Sequence, residues 1–312
     1  MDTEKTQKFE SFKKEVLVDS IKDAIIHDFE EGEFREFLIK LVVERGNIKQ
    51  DIAQQLFDEA GCQKMKVAFT HPSMLEPINF EFFESMGDLT ANKCIGWYLY
   101  RRFPDLQNNP QSAMYMCELK KKYISKKLFG PFSQKLGLDK FIRYKEIKYV
   151  EALTHEKKTV ILNKSVYEDV FEAFCACLED LIDTRVVIGC GYQIIYNIIS
   201  TLMDEEVITL DIKELVDKKT QIKELMDRRN KAFGDVGPTY SYVQEEQSNG
   251  QKFWVTTLKL ELQAHPNREY RGKLPLVVEF KSPATPNRNA GEFDTAGQAL
   301  RWFESYGVRW SR

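Results

Sequence analysis

The stretch Glu81–Asp88 reads EFFESMGD and carries the strongest structural signal in the sequence. Its three acids, Glu81, Glu84 and Asp88, are spaced i, i+3 and i+7, which places them on one face of a helix. Like charges placed in this way destabilise a helix by roughly 0.2–0.5 kcal/mol per pair. The flanking residues are largely apolar and predict a buried helix, where acids are rare unless they are paired or bind a metal. A solvated acidic face is the alternative for this stretch taken alone.

A second acidic segment, Tyr167–Phe174, reads YEDVFEAF. Asp169 and Glu172 again share one helix face, while the intervening positions are apolar. Two such helices can bring four carboxylates together, and an all-oxygen site of this kind suits Mg²⁺, with Mn²⁺ as a substitute, rather than zinc. Carboxylates that hold such an ion are well suited to phosphodiester hydrolysis. An exposed acidic rim is the alternative for this segment alone.

Composition describes an ordinary globular protein. The chain has 312 residues, of which 43% are hydrophobic and 30% charged, so there is room for two domains. The N-terminus shows no apolar signal core and no apolar run reaches the length of a membrane span, so we expect an intracellular protein, cytoplasmic or nuclear. The six cysteines form no zinc-type pair, and we expect free thiols.

The charge is unevenly distributed along the chain. Residues 211–312 hold 17 Lys+Arg against 14 Asp+Glu, giving +3, whereas residues 1–210 hold 28 against 34, giving −6. The mildly basic part could face a polyanion, and the acidic part would need metal ions to approach one.

Hydrophobic periodicity predicts four segments: a charged helical extension at 1–46, an all-α domain at 47–205, a linker at 206–216 and a small α+β domain at 217–312. The last domain is predicted to run helix, three strands, helix. Its three strands and closing helix are expected near Pro238–Val243, Phe253–Leu258, Leu274–Phe280 and Phe293–Tyr306. A hairpin turn is expected at Ser248–Gly250.

These motifs resemble the ribonuclease III family. The stretch Glu81–Asp88 fills the family pattern E-x-x-E-x-x-G-D completely. Upstream, Phe69–Ser73 resembles the T-H-x-S turn that precedes the signature helix, and downstream Asp169–Ala173 resembles the second motif, D-x-x-E-A. The three motifs also occur in the expected order.

The resemblance implies a catalytic centre. Glu84, Asp88, Asp169 and Glu172 would form the Mg²⁺ site, with Asp88 and Glu172 as catalytic residues, and Glu81 would support the substrate or the dimer. The implied reaction is hydrolysis of each strand of double-stranded RNA, leaving 5′-phosphate and 3′-hydroxyl ends. Two subunits, expected as a homodimer through the catalytic domain, would share one cleft, although a different partner chain stays open.

The C-terminal domain more distantly resembles a double-stranded-RNA-binding domain, because Asp217–Glu224 is similar to that family's opening helix. The resemblance implies RNA contacts from Thr220, Gln221 and Glu224, the last two at 2′-hydroxyls of the minor groove. Arg288 would add a contact from the last helix.

Two positions depart from the family patterns. Ser85 replaces the aromatic residue that inserts into the partner subunit, so either Phe82 and Phe83 compensate or the dimer is weaker. At the start of the last helix, Asn287–Glu292 retains only Arg288 where a lysine cluster is usual. Each missing phosphate contact lowers affinity and flattens its salt dependence, so we expect weak RNA binding by this domain.

Two other functions are compatible with the fold class: a catalytically silent protein that covers double-stranded RNA, and a structural subunit of a ribonucleoprotein. The presence of all four acids favours the enzyme, because a module that only binds has no use for carboxylates that repel one another.

Overall fold

The computed structural model describes seven parts of the chain: residues 23–124, 126–150, 157–160, 165–228, 233, 237–246 and 251–311. The chain divides into two units, Met1–Ile208 and Thr209–Arg312. The division falls within the segment 206–216 that the sequence predicts as a linker. No helix among the described residues has the length and apolar character needed to cross a membrane.

The first unit is mainly helical, which confirms the predicted fold class. In chain order its α-helices are α1 (Glu31–Glu44), α2 (Gln50–Leu56), α3 (Glu59–Ala68), α4 (Glu81–Arg102), α5 (Ser112–Tyr123), α6 (Lys126–Leu136), α7 (Val166–Arg185) and α8 (Cys190–Asp204). Short 3₁₀ turns lie at Pro72–Met74, Pro104–Asn108 and Leu138–Phe141. Side-chain caps begin several of these helices: the carboxylate of Glu30 accepts from the first turn of α1, and that of Asp58 from the first turn of α3.

A small antiparallel sheet, which the sequence did not predict, accompanies these helices. Its strands are β1 (Asp23–His27), β2 (Tyr144–Val150) and β3 (Lys157–Val160), in the order β1-β2-β3. His27 lies opposite Tyr144, and the two rings stack at 4.2 Å. The strands that meet in this sheet are more than one hundred residues apart in the chain, and short strands of this kind leave little trace in local periodicity.

The segment predicted at 1–46 as a charged helical extension is helical only in part. Residues 1–22 lie outside the described residues, and Asp23–His27 forms a strand instead of a helix. The helix α1 buries Phe34, Leu38 and Val42 completely or nearly so, and is therefore part of the core of the first unit.

The helices α4 and α7 lie against each other at the centre of this unit. Their closest approach is at Gly87: an added Cβ there would lie 1.7 Å from the carbonyl oxygen of Glu172. No side chain fits in that space, so glycine is required for the two helices to touch. Aromatic side chains fill the core beside this crossing, where Phe171 packs against Phe129 and Phe132.

The turn before α4 is held by a buried arginine. Arg143 donates to the carboxylates of Asp28 and Glu76 at 2.8 and 2.9 Å, and to the hydroxyl of Thr70 at 2.9 Å. His71 completes the turn, because its Nδ1 accepts the backbone N–H of Ser73 at 3.0 Å. Burial lowers the pKa of His71. The geometry therefore supports a structural role for this histidine in positioning the start of α4.

The second unit has the predicted element order. It contains the short helix α9 (Ile212–Leu215), then α10 (Lys218–Arg228), β4 (Thr239–Glu246), β5 (Lys252–Leu262), β6 (Leu276–Lys281) and α11 (Arg288–Ser305). The antiparallel sheet has the order β4-β5-β6. One face of the sheet packs with the two long helices around Leu258, Leu260 and Phe303, which are fully buried. The turn predicted at Ser248–Gly250 lies outside the described residues, of which Gln251 is the next.

The segment predicted as a linker contributes to this second core. Leu215 and Val216 are buried, and Val216 belongs to the same hydrophobic cluster as the sheet. Residues 212–216 are therefore packed structure and not a free connection.

The approach at Gly87 yields a stability prediction. Gly87→Ala should lower the free energy of unfolding by about 3 kcal/mol or more, because the methyl group overlaps the backbone of α7. Gly96→Ala, in the same helix, is the matched control: its Cβ would meet nothing within 4 Å, so better helix propensity should raise stability by about 0.5–1 kcal/mol. Denaturant unfolding of both variants measures the difference, and equal effects would contradict the steric explanation.

Candidate metal centre

A cleft of about 520 Å³ opens beside the crossing of α4 and α7. It is lined by side chains from both helices and from the end of α5 and the start of α6: Glu84, Ser85, Asp88, Asn92, Ile124, Phe129, Glu168 and Glu172. Most of the polar lining is acidic, so the cleft attracts cations and repels anions.

Three of the four predicted metal ligands meet at this cleft. Glu84 from α4 and Asp169 and Glu172 from α7 each present a carboxylate oxygen, and these oxygens all lie within 4.8 Å of one another. Because Glu84 lies three residues before Gly87, and Gly87 touches the backbone of Glu172, the helix contact itself brings the acids of the two helices together.

The electrostatics of the cluster are dominated by Glu172. This side chain is only 7% exposed, and burial together with the negative charges of Asp88, Glu168, Glu84 and Asp169 raises its pKa to about 8. Burial is the largest cause. A carboxylate in such surroundings is stabilised by a proton or by a divalent cation.

Asp88 lies in the same cleft but outside the group of three. Its Oδ1 accepts a hydrogen bond from the Nδ2 of Asn92 at 2.9 Å, one turn further along α4. The structure thus brings Asp88 within electrostatic reach of Glu172 and directs its carboxylate toward an amide donor.

Glu81 stands apart from the cluster. It is exposed at the first residue of α4, and it does not line the cleft. Its backbone carbonyl accepts from the hydroxyl of Ser85 at 3.4 Å. A role of Glu81 in supporting the substrate or the dimer stays a prediction.

Two residues of the cleft were missed at the sequence level. Glu168 is 4% exposed, lines the cleft and helps to raise the pKa of Glu172; Asn92 donates to Asp88. Both lie one helical turn from a predicted site residue, Glu168 four before Glu172 and Asn92 four after Asp88. That i, i+4 spacing is the signal that could have identified them.

The second unit places the predicted RNA contacts differently from the resemblance. Gln221 is 6% exposed, and its amide donates to the carbonyls of Lys213 and Val216, both at 2.7 Å. Glu224 accepts from the indole N–H of Trp310 at 3.0 Å. Both side chains are engaged within the second unit, and their contacts with RNA stay a prediction.

Thr220 and Arg288 are more accessible. The hydroxyl of Thr220 donates to Asp217 at 2.6 Å at the edge of a cleft of about 600 Å³. The guanidinium of Arg288 is 4.1 Å from the ring centre of Trp254 and 5.0 Å from that of Tyr242.

Comparison with known proteins identifies the first unit. The sequence profile of the Ribonuclease III domain matches residues 81–179, which contain both acidic motifs and the whole cluster. The first unit contains a Ribonuclease III domain. Together with relatives named ribonuclease 3, this domain marks the chain as an endoribonuclease.

Ribonuclease III relatives occur in viruses and bacteria. The chain is 29% identical over 231 residues to a protein assigned as a ribonuclease 3 in Invertebrate iridescent virus 6, covering 70% of this chain and 75% of that protein. It is 34% identical over 167 residues to a protein assigned likewise in Frog virus 3, covering 53% and 42%. A solved nuclease domain of ribonuclease III from Campylobacter jejuni covers 53% of this chain and 99% of its own, with 18% identity and a TM-score of 0.36.

Ribonuclease III proteins use a divalent metal, and the acidic cluster fits one. Its donors are carboxylate oxygens alone, which hard divalent cations prefer. Burial first, and the neighbouring acids second, oppose the charge of Glu172 and raise its pKa when no cation offsets that charge.

The pKa of Glu172 predicts a pH dependence of stability. Its folded-state pKa, about 8, lies above the ordinary value of 4.5, so ionisation disfavours the folded state. The stabilising effect of the protonated form is fully present below about pH 4.5 and is lost as the pH rises toward 8. Thermal midpoints of the metal-free protein should therefore fall across this range, and those of Glu172→Gln should fall less.

Divalent metal should reverse this trend, because binding requires the ionised carboxylate. Mg²⁺ or Mn²⁺ should raise the thermal midpoint more at pH 8.5 than at pH 5.5, and should do little for Glu172→Gln. Identical metal-induced shifts in both proteins would contradict a cluster centred on Glu172.

Proposed function

We propose that the protein hydrolyses both strands of double-stranded RNA in a reaction that requires Mg²⁺, with Mn²⁺ as a substitute, and leaves 5′-phosphate and 3′-hydroxyl ends. The observation that carries the proposal is the meeting of Glu84, Asp169 and Glu172 within 4.8 Å at an open cleft. Three acids gathered in this way repel one another and serve no purpose in a module that only binds RNA.

In this proposal Glu84, Asp169 and Glu172 hold the metal, and Asp88 and Glu172 are the catalytic residues. When bound, the ion supplies an activated water and shields the charge that develops on the phosphate. Burial of Glu172 fixes its position, since its helix is anchored by the fully buried Phe171. The amide of Asn92 orients the carboxylate of Asp88 toward the cleft. Glu168 adds a further negative charge that strengthens cation binding.

A cleavage assay tests the proposal directly. Wild-type protein with Mg²⁺ should cut long double-stranded RNA into fragments whose 3′ ends are extended by a polymerase without phosphatase treatment. Glu172→Gln should lower the rate by more than roughly 100-fold, which is more than the loss of an outer-shell partner causes. Asp180→Asn, in the same helix and ion-paired with Lys64 outside the cleft, should cleave normally. Binding without cleavage by the wild type would refute the proposal.

We also propose that two copies of the chain form a homodimer through the start of α4. Phe82, Met86 and Leu89 follow one another at i, i+4 and i+7 and are all exposed, Phe82 to 70%. Leu75 and Ile78, in the segment before α4, are also exposed. Exposed apolar side chains in such number mark an interaction surface.

The position of Phe82 explains how a dimer could form without the usual aromatic residue at position 85. Ser85 is one turn further along the same helix, and its hydroxyl donates to the carbonyl of Glu81. Phe82 offers an aromatic side chain beside it, in edge contact with Phe83 at 5.4 Å.

Analytical ultracentrifugation tests this interface. Phe82→Ser should weaken the homodimer by roughly tenfold or more, because burying a phenylalanine is worth about 1.5–3 kcal/mol. Ile188→Ser is the matched control: Ile188 is even more exposed but lies in the loop between α7 and α8. An unchanged dimer in Phe82→Ser, or equal weakening in both variants, would exclude this face.

A further inference from the structure

The loop between β5 and β6, residues 263–275, carries an exposed cluster of positive charge. Arg268, Arg271 and Lys273 are exposed there, against the single acid Glu269. Within the part of the chain that the structure describes, none of these three cations forms an ion pair. Their charge is therefore available to a ligand.

Packed aromatic rings hold the loop in shape. The ring of His265 stacks on that of Tyr270 at 4.0 Å and meets the edge of Tyr306 at 5.0 Å. The Nδ1 of His265 accepts the backbone N–H of Asn267 at 3.0 Å. An added Cβ at Gly272 would lie 1.9 Å from the hydroxyl oxygen of Tyr270, so the ring closes directly over the backbone. The two arginines thus flank a ring whose position is set, and preorganised groups bind with a smaller loss of entropy.

The other end of the second unit carries acids beside its cations. The first turn of α11 has Arg288, and Glu292 and Asp294 follow in the second turn. Lys219, the nearby cation of α10, donates to the carboxylate of Glu292 at 2.6 Å. The loop lies at the opposite end of α11, where it contacts Tyr306 just after the last turn. Lys218 and Lys223 of α10 are also exposed near this end, so the loop adds a second positively charged surface to the unit.

We infer that the β5–β6 loop is an RNA-contacting surface of the second unit, with Arg268 and Arg271 bound to backbone phosphates. Guanidinium groups match phosphate oxygens in a two-point geometry, and exposed cations gain affinity by displacing counterions from the polyanion. The inference rests on the proposed function, which makes duplex RNA the ligand, and it adds a surface to the one implied by the resemblance.

Salt-dependent binding of duplex RNA to the full-length chain tests the inference. All proteins carry Glu172→Gln so that the RNA stays intact. The double variant Arg268→Gln/Arg271→Gln should bind roughly tenfold more weakly near 100 mM salt, and the slope of log Kd against log salt should fall by about 1.8, or about 0.9 per lost contact. Replacement of both arginines by lysine should restore most of the slope.

The matched control is Lys259→Gln/Lys281→Gln, which removes the same charge from exposed positions on β5 and β6. It should leave the slope nearly unchanged. Equal losses in the two double variants, an unchanged slope in the loop variant, or no RNA binding by the parent would each overturn the inference. Failure of the proposed function would give a different result. The protein with Glu172 intact would leave the duplex uncut in Mg²⁺, while the loop variants would still bind RNA more weakly than their parent.

Discussion

The contact between Gly87 and the backbone of Glu172 is the constraint on which the catalytic unit depends. A single methyl group at position 87 would overlap the carbonyl of Glu172, so α4 and α7 can touch only where one of them lacks a side chain. That touching point sets the distance between Glu84 and the acids of α7. The glycine of the signature therefore shapes the metal centre without contributing an atom to it, and its role is steric.

This close approach also places several carboxylates close together, where their negative charges repel one another. Burial and four neighbouring acids raise the pKa of Glu172 to about 8, so its ionised form is unfavourable in the absence of a cation. The surrounding aromatic core, including Phe129, Phe132 and Phe171, holds the helices in place against this repulsion. Apolar burial thus stabilises an arrangement that the acids alone would oppose, and a bound divalent ion would offset the same repulsion.

In the second unit, the order of helices and strands does not by itself determine which side chains are exposed to a ligand. Its helix, strands and helix follow the predicted order, yet Gln221 is buried among backbone carbonyls and Glu224 holds Trp310. A small domain has few apolar side chains with which to build a core, so polar groups take structural roles. Arg268 and Arg271 lie exposed in the loop between β5 and β6.

The sequence by itself determined what depends on local helical geometry. Spacing along α4 and α7 placed the acids of each motif on one face, and periodicity separated a helical unit from an α+β unit. Only the tertiary structure decided which acids meet: Glu84 joins Asp169 and Glu172, whereas Asp88 accepts from Asn92. It likewise decided the β1–β2 pairing. These outcomes depend on burial and hydrogen bonds between segments far apart in the chain, and such interactions leave no periodic trace in the sequence.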